Sequence, residues 1–114
     1  LGPNTGLGHS SMVYMIESQV EHVLKAIQAM DGSAAATIEV RPEAHAEFNR
    51  NVDSRMRGTV WDSGGCSSFY IDRTGRNATL WPDWTWRFRQ LASQFDAGAY
   101  VLEMRESAVA ASAA

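Results

Sequence analysis

The residues with the greatest capacity for chemistry stand at the start of the chain, in Leu1-Gly2-Pro3-Asn4-Thr5-Gly6-Leu7-Gly8-His9-Ser10-Ser11. Gly2, Gly6 and Gly8 let the backbone approach a ligand without a Cβ in the way, and Pro3 interrupts any strand ladder. Ser10 and Ser11 are good helix N-caps directly before Met12-Val13-Tyr14-Met15-Ile16. The first turn of a helix leaves N–H groups unpaired, and the macrodipole places roughly +0.5 charge there. A glycine-rich approach into such a turn suits an anion or a polarised carbonyl. An ordinary capped loop fits the same residues. The glycines match neither GxxxxGK[ST] nor GxGxxG.

Other reactive side chains carry weaker signals. His9 has no acidic partner nearby in sequence, which favours a capping or wall role over that of a base. Cys66 lacks a flanking histidine or cation and does not read as a nucleophile. His45 with Glu43 and Glu47 does not have the spacing of a metal site, and no metal is expected. Trp81, Trp84 and Trp86 interleave with Arg87 and Arg89, a pattern compatible with base stacking or with packing. Asn77-Ala78-Thr79 spells a glycosylation sequon.

The elements that must position these residues are legible from periodicity. Val13, Ile16, Val20, Val23, Leu24, Ile27 and Met30 form an i, i+3, i+4, i+7 stripe, which predicts a helix from Ser11 to about Met30. His22 falls on its polar side, and Gly32 is the expected left-handed cap. Thr37–Val40 reads as a short strand, and Pro42 opens a second helix carrying Phe48, Val52 and Met56 that fades near Gly58. Asp62-Ser63-Gly64-Gly65 breaks the chain. Ser68–Ile71 and Asn77–Leu80 are expected as the strands of a hairpin turning at 72–76. A third helix is expected from Pro82 and Asp83, with Trp84, Phe88, Leu91 and Phe95 on one side; Tyr100-Val101-Leu102 can add a strand. The Ala/Ser tail over 106–114 has little reason to order. The fold class is thus α/β in the sense of an α+β fragment: long helix, short strand, second helix, hairpin, third helix.

Composition narrows the function classes. With 114 residues there is room for one small domain. A net charge of −3 with interspersed signs gives no footprint for nucleic acid or an anionic membrane. The single cysteine excludes an internal disulfide and, with no export signal or apolar run of about 20 residues, points to the cytoplasm. Most of the aromatic residues lie after position 60, where a cluster or pocket is expected.

Gly2–Gln19 resembles the last flavin-contacting segment of the class B flavoprotein monooxygenases, the Baeyer–Villiger-like branch in particular. Glu39-Val40-Arg41-Pro42-Glu43-Ala44, Gly65–Asp72, Gly75-Arg76-Asn77 and Leu80-Trp81-Pro82 agree with that family in order and spacing, so the likeness spans about residues 1 to 96. It covers only the C-terminal portion of the family's chain, downstream of its dinucleotide-binding glycines. The start on Leu fits an upstream segment. The resemblance implies one unit over 1–105, with a flavin loop at 1–12 and a mobile cofactor loop at 63–82. Gly2, Pro3, Asn4, Thr5, Ser11 and Met12 would face FAD, the amides near Ser11 and Met12 meeting the pyrimidine edge of the flavin. Leu7, Gly8 and His9 would border the substrate. Ser68 and Phe69 would meet NADPH, with Phe69 standing where the family carries Trp, so stacking is kept and the indole N–H donor is lost. Arg73 and Arg76 can reach a 2′-phosphate or simply belong to a solvated turn.

The activity so implied is oxygenation of a ketone, amine or sulfide with dioxygen through a flavin C4a-peroxide. No catalytic side chain lies in this part. Its partners would be the rest of the flavoprotein chain and a small organic substrate, with the three tryptophans packing on the flavin domain. Alone, the chain is expected to be inactive and not to hold FAD. The alternative is a non-catalytic remnant that serves as a packing or interaction module.

Overall fold

The computed structural model describes residues 2–64 and 68–105. The expectations for Gly65, Cys66, Ser67 and the tail 106–114 lie outside the described residues. Among the described residues there are four α-helices, one 3-10 turn at Ala97–Ala99 and one two-stranded antiparallel sheet: α1 Met12–Ser33, β1 Ala35–Val40, α2 Pro42–Met56, α3 Val60–Ser63, α4 Thr85–Ser93 and β2 Tyr100–Met104. This is an α+β arrangement. Its extents are 64 × 27 × 18 Å, so the chain is elongated and much of each helix is left to solvent.

Helix α1 begins where the capping residue dictates, with Ser11 Oγ accepting from Tyr14 N–H. It runs through Gly32, and Ala34 takes the left-handed conformation expected of that glycine, at φ 54°. Ser33 extends the last turn by bonding back to the carbonyls of Ala29 and Met30. The Ala34 N–H meets the carbonyls of Asp31 and Met30, which satisfies the helix end.

β1 pairs with β2, Val40 opposite Tyr100 and Ile38 opposite Leu102, with an irregularity between Ala35 and Thr37. The possible strand at Tyr100–Leu102 is therefore real and slightly longer. Arg41 holds the neck of this sheet, its N–H on Ala99 O at 2.9 Å and its Nε–H on Gly98 O at 3.0 Å.

The expected hairpin over 68–80 contracts to a single antiparallel bridge, Ile71 with Asn77. Side chains take the amides that a ladder would need. Asp72 Oδ1 accepts from the N–H groups of Thr74 and Arg76, and Asn77 Oδ1 accepts from those of Thr79 and Leu80. Leu80 pairs instead, in parallel, with Gly6 of the opening loop.

Helix α4 starts two residues later than expected, at Thr85, because Asp83 Oδ1 holds the Trp84 N–H at 2.7 Å. Phe88 is buried, whereas Trp84 and Leu91 are exposed and Phe95 lies beyond the helix. Trp81 takes the core place instead. The core joins Met15, Val52, Trp81 and Phe88, with Leu7 and Ala92 against it, and Trp81 meets Phe88 edge-on at 5.1 Å.

His22 is not on a solvent-facing side. A carbonyl only accepts, so Nδ1–H donates to Ala92 O at 2.8 Å, and in the neutral ring Nε2 accepts from Tyr100 O–H at 2.8 Å. Burial pushes the Tyr100 hydroxyl pKa up. Lys25 donates to Ser93 O at 2.6 Å, placing a cation on the last carbonyls of α4. Thus α1 packs on α4 through Met15, Ser18 and His22, and its apolar stripe points elsewhere: Val13, Ile16, Val20, Val23, Leu24 and Ile27 are all exposed.

Candidate functional site: the opening loop and its supports

The loop from Gly2 to Ser11 is fixed along its inner edge and open along its outer one. Inside, Asn4 N–H donates to Ala78 O at 2.8 Å, Gly6 N–H to Thr79 O at 2.8 Å and Trp81 N–H to Gly6 O at 2.9 Å. A Cβ on Gly6 would stand 2.9 Å from Thr79 O, so only glycine permits this approach. Thr5 Oγ1 closes the first turn, accepting from Gly2 N–H and donating to Gly2 O.

Asn4 is the anchor. It is 2 % exposed and sits at φ 55°, a conformation asparagine tolerates better than most residues. Its Nδ2 donates to Asn77 O at 2.8 Å and Leu80 O at 2.9 Å, and its Oδ1 accepts from Arg76 Nη2 at 3.2 Å. Arg76 also donates to Asp53 Oδ1 at 2.8 Å and Asn49 Oδ1 at 3.3 Å on α2. A three-way tie therefore joins the loop, the turn at 72–76 and α2. Arg76, compatible in sequence with a phosphate contact or a solvated turn, is engaged internally in the structure. Asp72, which shapes that turn, is held below the usual carboxylate range by the Thr74 hydroxyl first and then by the Arg76 and Thr74 amides. Asn77 is buried, which leaves no room for a glycan on its sequon.

Along the outer edge, Gly2, Pro3, Gly8, His9, Ser10 and Ser11 are exposed, and Met12 is half-buried. Ser11 Oγ takes the Tyr14 N–H; among the described residues no partner is found for the N–H groups of Met12 and Val13. This donor set, at the positive end of a long helix, suits an anion or a polarised carbonyl. Of the residues assigned to FAD from sequence, Gly2, Pro3, Ser11 and Met12 lie on this edge. Asn4 and Thr5 turn their side chains into the loop. Leu7 packs on the core, while Gly8 and His9 face outward.

Ser68 and Phe69 belong to the other side of the site. Ser68 Oγ accepts from Tyr70 N–H at 3.2 Å, and Phe69 is 94 % exposed with only an edge contact to Tyr70 at 5.8 Å. So exposed a ring is an unpaired stacking surface. Trp61, on which sequence reading placed no role, lies between the two sides: its ring touches Gly8 and meets Tyr70 edge-on at 5.7 Å. The signal available was its position one residue before the breaker cluster.

A separate groove of about 530 Å³ runs between α2 and α4, with Phe48, Val52 and Trp81 along it and Arg55 and Arg87 sharing Asp83. Burial works against ionisation of Asp83, but the Trp84 N–H and the two arginines outweigh it and hold the carboxyl below its ordinary pKa. No cluster of metal-ligating side chains occurs among the described residues, and none of their helices is long and apolar enough to cross a membrane.

A glycine-rich loop thus feeds a helix N-terminus, and the rings of Trp61 and Tyr70 link it to the exposed Phe69. Sequence comparison supplies the class. The chain is 50 % identical over 103 residues to a Baeyer–Villiger monooxygenase of Pseudomonas aeruginosa, which covers 90 % of this chain and 20 % of the relative. It is 43 % identical over 118 residues to a Baeyer–Villiger monooxygenase of Streptomyces coelicolor, covering 100 % of this chain and 22 % of that one. The FAD-binding monooxygenase ktnD of Aspergillus niger is 31 % identical over 114 residues. No family model matches, and no solved structure matches. The chain belongs with the FAD monooxygenases of Baeyer–Villiger type and corresponds to a C-terminal portion of them, spanning about a fifth of the length of these relatives.

Proposed function

We propose that this chain forms the C-terminal part of an FAD- and NADPH-dependent monooxygenase acting on a ketone, amine or sulfide. FAD supplies the redox chemistry with dioxygen. The residues here orient and polarise: the α1 N-terminus offers its first amides and partial positive charge to the flavin edge, and the inner ties through Asn4 and Arg76 keep that edge from moving. Leu7, Gly8 and His9 border the organic substrate, and Phe69 offers its face to the nicotinamide half of NADPH. The exposed stripe of α1 docks on the remaining part of the flavoprotein, which lies in the four-fifths of the relatives' length not matched by this chain.

The observation that carries the reading is the pairing of an open helix N-terminus at Ser11–Met12 with a ring at Phe69 that is 94 % exposed. The test is Phe69→Ala in the complete flavoprotein. NADPH-driven flavin reduction should slow several-fold to about tenfold, the worth of an aromatic stacking contact, with FAD content unchanged. Phe69→Trp should reduce at least as fast as the parent. Unchanged reduction in folded Phe69→Ala protein overturns the cofactor role. The exposed stripe is also what an interaction module without catalysis would show; a complete protein that binds no FAD decides for that second reading.

A further inference from the structure

Trp61 stands between the opening loop and the segment at 68–70. It is held on α3, whose backbone is tied to the end of α2: Thr59 Oγ1 donates to Met56 O at 2.7 Å, and the Asp62 and Ser63 amides donate to Thr59 O. Met56 is itself buried, so the indole projects from a fixed base. The six-membered ring of that indole lies on Gly8: a Cβ added there would stand 2.8 Å from Cη2 and 3.0 Å from Cζ2. Real Cβ atoms do not approach carbon so closely, so with the indole where it stands a side chain at position 8 would force the ring or the loop to move. On its other side the indole meets Tyr70 at 5.7 Å and 87°, and Tyr70 meets Phe69 at 5.8 Å and 78°. Three rings thus run from the loop at Leu7–His9 to the exposed ring at Phe69.

We propose that Trp61 is a positioning residue for the loop Leu7–His9, backed by Tyr70, and that ring size at position 61 sets the room left for the organic substrate. This rests on the functional reading above in one respect, that Leu7–His9 border the substrate. Leu7 is fixed from one direction by the core and Gly8 from the other by the indole, so a shorter ring lets the loop settle inward and a side chain at Gly8 drives it outward.

The experiment is a double-mutant cycle in the complete flavoprotein with Gly8→Ala, Trp61→Phe and the pair. Steady-state kinetics would use a series of small cyclic ketones of increasing ring size. Gly8→Ala should raise KM by about threefold to tenfold. Phenylalanine is shorter than tryptophan and clears the added methyl, so the double variant should return to within about twofold of the parent KM. Amide hydrogen exchange over residues 6–9 gives a readout independent of turnover: Trp61→Phe should speed it several-fold and leave 77–81 unchanged. Strict additivity in the cycle, or unchanged exchange at 6–9, overturns the proposal. If the exchange responds as stated but the parent turns over no ketone, the positioning role stands and the substrate reading falls.

Discussion

Replacing Asn4 gives the sharpest test of how the opening loop is held. Its side chain makes two donor bonds to the carbonyls of Asn77 and Leu80, both in buried residues, and accepts one from Arg76. Each neutral bond contributes about 1 kcal/mol net, and a buried carbonyl left alone costs at least as much again. Alanine also has to hold φ 55°, at about 1 kcal/mol. Asn4→Ala should therefore cost about 5 kcal/mol. Asn4→Gly loses the same bonds but not the backbone term, so it should be about 1 kcal/mol less damaging despite the larger deletion. Asn4→Asp keeps the shape and the Arg76 partner yet points an acceptor at two carbonyls, and should fall between the parent and alanine. Urea denaturation of the complete flavoprotein, followed by flavin release, ranks the three. Glycine worse than alanine, or alanine within about 0.5 kcal/mol of the parent, would refute the reasoning.

Two further outcomes follow from surfaces and charge. Val20→Ser with Ile27→Ser removes apolar area that is exposed in this chain; it should leave the melting of the isolated chain unchanged and reduce its self-association in sedimentation. The same pair in the complete protein should cost about 1.5–3 kcal/mol per residue if a neighbour buries the stripe, and an equal response in both settings refutes that docking. Asp83 is held below its ordinary value of 3.8, so its contribution to stability is full above that value and is lost as pH falls through the lower folded pKa. Acid titration of the parent against Asp83→Asn should show a stability gap that is constant near neutrality and closes below about pH 4; a gap that widens on acidification contradicts the sign.

Much of this fold was legible because local rules decided it. Ser11 caps α1, Pro42 opens α2, and β1 forms over the β-branched Thr37, Ile38 and Val40. The failures share a cause, which is that side chains compete with the backbone for hydrogen bonds. Asp72, Asn77 and Asp83 each take amides that a strand or helix would otherwise use, and each shortens the element expected there. Ala34 takes the left-handed turn in place of Gly32 because Ser33 prolongs the helix. In the opening loop, the glycines and the Ser11 cap were legible in sequence. The supports were not, since Asn4 and Arg76, or Gly8 and Trp61, meet only in three dimensions.

Helix α1 shows why periodicity identifies a face but not its occupant. The apolar stripe Val13–Ile27 is the obvious packing surface, yet α4 is met by a different face, where Met15 sits beside Ser18, His22 and Lys25. That inner contact is specific and largely polar, made by a histidine and a lysine reaching the last carbonyls of α4. Such bonds fix orientation and contribute modestly to stability, whereas the outer stripe holds most of the helix's transferable apolar area. A chain that uses its polar face internally and leaves its apolar face open is arranged to be covered. The same helix presents its N-terminus to the flavin edge in the proposed function. Burial of the stripe would then fix the direction of the macrodipole relative to the cofactor, making docking and electrostatic alignment a single event.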